Sequence, residues 1–305
     1  MLWLGGALAA LVLLLAAGAI IETSLETRDA RLYPPPGQMV DIGGHRLHLN
    51  CAGDGSPTVV IDAGLGDWSG SWGAVQGELA KTTRVCIYDR AGMGWSAPGP
   101  LPRDADQIAG ELYTLLQNAN IRGPYVMVGH SFGGLPVQVF VHDYPSDVAG
   151  VVLIESMHPG QTTYATQSGA LSLSSVLARF GIVRLLARPL GLIEDISSDQ
   201  AAYDSLSVRP QQLQTFADEI RGIPASLAQA GAVESFGDLP LIVLSRGLDA
   251  DAEWQAGQAE LSRLSSNSRH LIAEQSDHGI HLHQPDAAVA AIIQMIEQVR
   301  ATATR

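Results

Sequence analysis

The chain has little cysteine, little aromatic side chain and little positive charge, and each shortage removes a class of protein. Two cysteines in 305 residues, Cys51 and Cys86, cannot build a disulfide framework, and no Cys/His spacing matches a zinc site. Lys and Arg number 18 against 31 Asp and Glu, a formal charge of −13. A phosphate backbone or an anionic lipid surface would be repelled, which argues against nucleic acid or such a surface as the main partner and leaves small neutral substrates open. Low-complexity sequence is confined to one Pro-rich stretch, and no internal repeat occurs. What is abundant is apolar residues, 46% of the chain, which excludes disorder. The length suits one α/β domain with an insertion better than two independent domains.

Charge is missing altogether from Met1 to Ile21. As a helix this run is about 31 Å long, matching a hydrocarbon core of about 30 Å, and residues 1–21 read as a single transmembrane anchor. The competing reading is a cleaved signal, for which Ala17-Gly18-Ala19 offers small residues, although no Lys or Arg precedes the run. Arg28 and Arg31 follow the span and would hold the domain in the cytoplasm, whereas a hydrophobic first segment is a usual export signal; the reading favoured is an extracytoplasmic domain. Residues 22–38, ending in Pro34-Pro35-Pro36-Gly37, read as an extended linker.

Beyond it the pattern alternates. Met39 to Ile42 and Arg46 to Cys51 predict a hairpin turning at Gly43-Gly44. Runs at Thr58 to Asp62, Arg84 to Asp89, Tyr125 to Gly129, Gly150 to Glu155, Leu239 to Ser245 and Arg269 to Ala273 predict strands. Helices are predicted at Trp72 to Lys81, at Asp104 to Ala119 and at Pro285 to Arg300, the last two from apolar residues at helical spacing. Strands alternating with helices imply a mostly parallel sheet covered on both faces. Residues 157–237 break the rhythm, with helical apolar spacing and no convincing strand, and read as a helical cap inserted into a core of 39–156 and 238–305.

The chemistry centres on Gly129-His130-Ser131-Phe132-Gly133. A β-branched strand ends at Gly129 and an apolar helix starts past Gly134, so Ser131 sits at a strand-to-helix turn of the nucleophile-elbow kind, beside free backbone N–H groups. A serine hydroxyl needs a base, and the base needs an acid to orient it. His278, in a turn-like stretch after the last strand, is the expected base. Its neighbours His281 and His283 suggest only a weak metal reading without a nameable third ligand, so no metal or cofactor is expected. His130 reads as structural, and His45, His48, His142 and His270 as ordinary strand or surface residues. Two acids compete: Glu155, closing an apolar strand where a lone carboxylate would be costly, and Asp249, after the next strand, which could equally cap a helix. Glu155 is favoured. Asp62-Ala63-Gly64-Leu65-Gly66 follows a strand and can turn an N–H inward, so Leu65 and Phe132 are the expected oxyanion donors.

In this order the motifs resemble the α/β-hydrolase superfamily over about residues 39–300. The similar stretches are Asp62 to Gly66 with Trp72 behind it, Asp89-Arg90-Ala91-Gly92-Met93-Gly94-Trp95-Ser96, the elbow at Ser131, and Asp277-His278-Gly279 with Gln284-Pro285-Asp286 following. More narrowly, the chain resembles membrane-anchored bacterial hydrolases with a Pro-rich linker. Val151 to Pro159 is similar to the post-elbow strand of haloalkane dehalogenases that carry a glutamate acid there, but those enzymes use an Asp nucleophile. Ser131 instead implies acyl transfer to water: cleavage of an ester, thioester or lactone, with a C–C hydrolase, perhydrolase or peptidase as rivals and a non-catalytic ligand-binding protein as the other class. Asp277 departs from the family, which usually has glycine there. The family's strand order makes the second and fourth strands neighbours, which implies that Cys51 and Cys86 could be bonded. Cap residues Tyr164, Phe180 and Phe216 suggest an apolar acyl or aryl substrate. Oligomeric state has no signature in the sequence.

Overall fold

Val- and Ile-rich segments form the middle of an eight-stranded sheet in a computed structural model, which describes residues 2–161, 168–193, 195–197, 199–249 and 251–303. Tyr164 lies outside the described residues. The strands are β1 (Gln38–Asp41), β2 (Arg46–Ala52), β3 (Thr58–Asp62), β4 (Val85–Tyr88), β5 (Tyr125–His130), β6 (Val148–Ile154), β7 (Leu241–Arg246) and β8 (Ser268–Ala273). Their spatial order is β1-β2-β4-β3-β5-β6-β7-β8; β1, β2 and β4 pair antiparallel, and every pairing from β4 onward is parallel. Strands β3, β4 and β5 are buried at every residue, as a parallel sheet covered on both faces requires.

Alternate side chains serve the two faces. Val60, Cys86, Met127 and Val151 pack with Ile108 and Leu112 of α3 (Ala105–Asn118) and Leu135 and Phe140 of α4 (Gly134–Asp143), while α2 (Gly73–Leu79) precedes them in the chain on the other side. There Val59, Ile61, Val126 and Val152 meet Val75 of α2 and Ile292 and Ile296 at the carboxyl-terminal helix. Asp104 caps α3 by accepting from Gln107 N–H. Between β6 and β7 lie α5 (Ser168–Ala178), α6 (Ile182–Ala187), α7 (Gln200–Ser207) and α8 (Pro210–Gly231). After β7 come α9 (Ala252–Leu261), α10 (Ile280–His283) and α11 (Pro285–Ala303). Cys51 stands opposite Cys86 in the β2/β4 register, and the two form a disulfide across a Cα separation of 4.0 Å.

The amino-terminal helix differs from expectation. Helix α1 (Leu2–Leu32) runs straight through Glu22–Leu32, the stretch read as the start of an extended linker. Glu22, Glu26 and Asp29 recur four and three residues apart and therefore share one helical face. Arg184 of α6 donates to both Glu22 and Asp29, and these two carboxylates are 2% and 1% exposed. The chain turns extended only past Leu32, where Trp95 Nε1 donates to the Tyr33 carbonyl at 3.0 Å.

His48 is a second correction: it is fully buried in β2 rather than an ordinary strand residue. Its Nδ1 meets Asp89 Oδ2 at 2.8 Å and its Nε2 the Pro36 carbonyl, so both ring nitrogens face acceptors. Burial pushes the imidazole pKa down, but the Asp89 charge and hydrogen bond, with the Pro36 carbonyl, outweigh this and leave it above 6.5. Burial pushes Asp89 up, yet His48 and the Trp95 and Ser69 N–H groups hold it below 3.8. The His48 contribution is thus complete below about pH 6.5 and lost as pH climbs through its raised value; that of Asp89 is present above about pH 4 and lost as pH falls. Taking the protein from about pH 6 to pH 9 should narrow the gap in melting temperature between wild type and His48→Gln. A gap independent of pH would show that the pair does not titrate in this way.

Candidate active site

Two sharp turns at the carboxyl ends of adjacent strands create the site. Ser131, after β5, has φ 51°, and Glu155, after β6, has φ 46°, left-handed conformations that a non-glycine residue adopts only when its surroundings hold it there. For Ser131 the holding is steric and local. A Cβ on Gly129 would lie 2.7 Å from the Gly134 Cα, so the turn into α4 closes only because that position is glycine. Met157 N–H donates to the Ser131 carbonyl at 2.9 Å, tying the two turns together.

Ser131 Oγ lies 2.9 Å from His278 Nε2, and His278 Nδ1 lies 3.2 Å from Glu155 Oε2. With Nδ1–H donating to the carboxylate, Nε2 is left to accept from the serine hydroxyl. Glu155 is fully buried, and its other oxygen accepts from Arg246 N–H at 2.7 Å. The Arg246 guanidinium, 3.4 Å from Glu155 Oε2, stacks over Trp254, whose ring stands edge-on to His278 at 5.3 Å. Asp249 also has a positive φ, of 53°, but it is exposed, and the structure brings Glu155 rather than Asp249 to the imidazole. Asp277 organises the histidine loop: its Oδ1 accepts from Gly279 N–H at 2.9 Å and meets His283 Nδ1 at 2.6 Å.

Phe132 follows Ser131 in a single 3-10 turn leading into α4, so its N–H is at a helix start. Leu65 lies in the loop after β3, and that loop runs beside the elbow: a Cβ on Gly64 would be 3.6 Å from Ser131 Cβ. The residues that fix this loop were missed in the sequence. Arg90, 2% exposed, donates from Nη1 to Asp62 Oδ1 at 2.7 Å and to the Ala63 carbonyl at 2.6 Å, and from Nη2 to the Gly64 carbonyl at 2.5 Å. Glu219 of α8 accepts from Arg90 Nε at 2.7 Å and from Gly66 N–H at 3.1 Å. Arg90 thereby joins the loop to α8. Its only advance signal is its place in the Asp89 to Ser96 loop; Glu219 has none.

His130 is buried behind the serine. Its Nε2 lies 3.0 Å from the His278 carbonyl, and burial, with His281 and His278 nearby, pushes its pKa well below 6.5, so the ring is neutral. Asp67, His130 and His281 are the described residues whose donor atoms could approach one ion, lying within 4.8 Å of one another. Zinc bonds of 2.0–2.1 Å imply ligand separations of about 3.4 Å, and Asp67 Oδ2 already accepts from Ser71 Oγ at 2.7 Å. His281 is instead stacked on Trp72, ring centroids 4.3 Å apart.

An eight-stranded, mostly parallel sheet with a serine elbow after β5 and a histidine after β8 defines a fold class, and the chain has the α/β-hydrolase fold. The alpha/beta hydrolase fold family matches residues 57–181. YqjL of Bacillus subtilis (strain 168) is 24% identical over 245 residues, 79% of this chain and 83% of that protein. The protein named transporter efuK from Hormonema carpetanum is 36% identical over 126 residues, 39% of this chain but 18% of its own length. Among solved structures, the enol-lactonase from Burkholderia xenovorans LB400 has a TM-score of 0.66 and 19% identity, covering 85% of this chain and 100% of that one. A thermophilic esterase from Thermogutta terrifontis has a TM-score of 0.64 and 19% identity, covering 86% and 98%.

Proposed function

We propose that the protein is a serine hydrolase, held to a membrane by α1, that cleaves the ester, thioester or lactone bond of a small apolar substrate. The observation that carries this reading is the continuous chain Ser131 Oγ, His278 and Glu155 at 2.9 and 3.2 Å. Ser131 attacks the carbonyl carbon as His278 Nε2 takes its proton; Glu155 stabilises the imidazolium. The Leu65 and Phe132 N–H groups receive the oxyanion, each worth about 3–4 kcal/mol in such sites. His278 then protonates the leaving alcohol or thiol, and water, activated by the same imidazole, releases the acyl group. The scheme calls for no metal or organic cofactor. Similarity in fold to an enol-lactonase and to an esterase supports the acyl-transfer class. The Cys51–Cys86 bond supports an extracytoplasmic domain, because such bonds persist in oxidising compartments.

A fluorophosphonate and an activated ester test the mechanism on the wild-type chain. The expected result is one covalent adduct per protein, mapped by mass spectrometry to Ser131, and a burst of p-nitrophenol from the acetate and butyrate esters equal to the enzyme present. A folded protein that gave neither adduct nor turnover would overturn the reading in favour of a ligand-binding role.

A further inference from the structure

Helix α1 does not leave the domain hanging free of the bilayer. The residues Gly18, Glu22, Glu26 and Asp29 recur at intervals of four, four and three, forming one stripe down the helix, and the cap lies along it. Arg184 holds Glu22 and Asp29. Above them, Gly18 meets the cap backbone so closely that a Cβ there would lie 2.6 Å from the Phe180 carbonyl oxygen. Gly18 lies inside the uncharged run that ends at Ile21, about 5 Å below its end at 1.5 Å per residue. The Phe180 edge of the cap is therefore level with the boundary between headgroups and acyl chains when the run spans.

That same edge is apolar and uncovered. On α5, Leu173 and Val176 are 59% and 48% exposed, three residues apart and on the face that continues to Phe180. On α6 and just past it, Leu185, Leu186, Leu190 and Leu192 are 74%, 42%, 63% and 68% exposed. Of the three cations on this face, Arg184 is neutralised by Glu22 and Asp29 and Arg188 by Asp195 and Asp204, while Arg179, exposed just past α5, carries its charge on a long apolar stem of the kind that reaches from an interface toward water. Six large exposed apolar side chains beside a spanning helix, with one exposed arginine among them, match the interfacial layer of a bilayer. The chain's net charge of −13 disfavours an anionic one.

We propose that the face of the cap formed by α5, α6 and Leu190 to Leu192 is seated in the interfacial layer of the bilayer that α1 crosses. The inference rests on the reading of α1 as a membrane span. The cap is then a membrane-embedded wall of the domain rather than a cover facing water.

The test uses the full chain in phosphatidylcholine vesicles. Single variants Leu185→Cys and Leu190→Cys carry an environment-sensitive nitrobenzoxadiazole label, with Leu13→Cys on α1 as the span control and Glu297→Cys on α11 as the water control; the native cysteines are paired and do not react. The expected result is blue-shifted emission at 185 and 190 and severalfold stronger quenching by spin-labelled lipid than at 297. Quenching at 13 with 185 and 190 as accessible to aqueous iodide as 297 would overturn the seated cap and leave the anchor standing. No lipid quenching at 13 would remove the anchor and the inference together.

Discussion

Alanine at Ser131 is expected to lower kcat for an activated ester by about 10⁴- to 10⁶-fold while leaving the melting temperature within a few degrees of wild type. The size follows from the proposed scheme, in which the three groups act as a unit. Without the hydroxyl, His278 has nothing to deprotonate except water, and what survives is the contribution of binding and the oxyanion donors. The same logic separates the two carboxylates. Glu155→Gln should cost about 10⁴-fold in kcat, because an amide cannot stabilise the imidazolium or enforce the tautomer that leaves Nε2 free. Asp249→Asn should change kcat by no more than about twofold, since Asp249 is exposed and the His278 Nδ1 contact at 3.2 Å belongs to Glu155. Steady-state kinetics with burst titration of active sites checks all three. A Glu155→Gln enzyme as active as wild type would remove Glu155 from the scheme.

Replacing Arg90 by alanine is the second large effect, on stability as much as on rate. The substitution leaves Asp62 and Glu219, each fully buried, without the cation that neutralises them, and frees the Ala63 and Gly64 carbonyls. Breaking a buried pair from one side typically costs about 3–5 kcal/mol. Tyr88 cannot substitute: burial, then the Asp62 charge, pushes its pKa well above 10, so it remains a neutral donor to Asp62 at 2.7 Å. Arg90→Lys keeps a charge but supplies three donors in place of the guanidinium fork, so it should recover part of the stability and less of the activity. Urea unfolding of the three proteins, alongside kcat, gives the answer. An Arg90→Ala protein destabilised by less than about 1 kcal/mol would mean that the loop is held by its own backbone.

The parts of the fold legible in the sequence were those whose signal is local. Val126 to Gly129 breaking at a glycine before Ser131 announces a strand, a turn and a helix within ten residues, and the apolar strand Val151 to Glu155 and the periodic final helix are equally local signals. Charge pairing is not local. Arg90 and Glu219 are 129 positions apart, and Arg184 and Glu22 are 162 apart; a charged residue has no periodicity that names its partner. The linker misreading has this origin, since Glu22, Glu26 and Asp29 look like solvated polar residues until Arg184 is placed beside them. His48 was misread for the same reason, its partner Asp89 lying on another strand end. For the site, residue types and order were visible, whereas the choice between Glu155 and Asp249 depended on which strand end lies nearest the histidine loop, a property of the sheet.

The disulfide between β2 and β4 has a consequence for biogenesis. A chain with two cysteines has one possible intramolecular pairing, so oxidation cannot trap it in a scrambled isomer and reshuffling has nothing to correct. Once the bond closes, no thiol remains to be over-oxidised, to capture a neighbouring chain or to be modified by electrophiles. The domain can mature beside oxidants with no thiol chemistry left to protect.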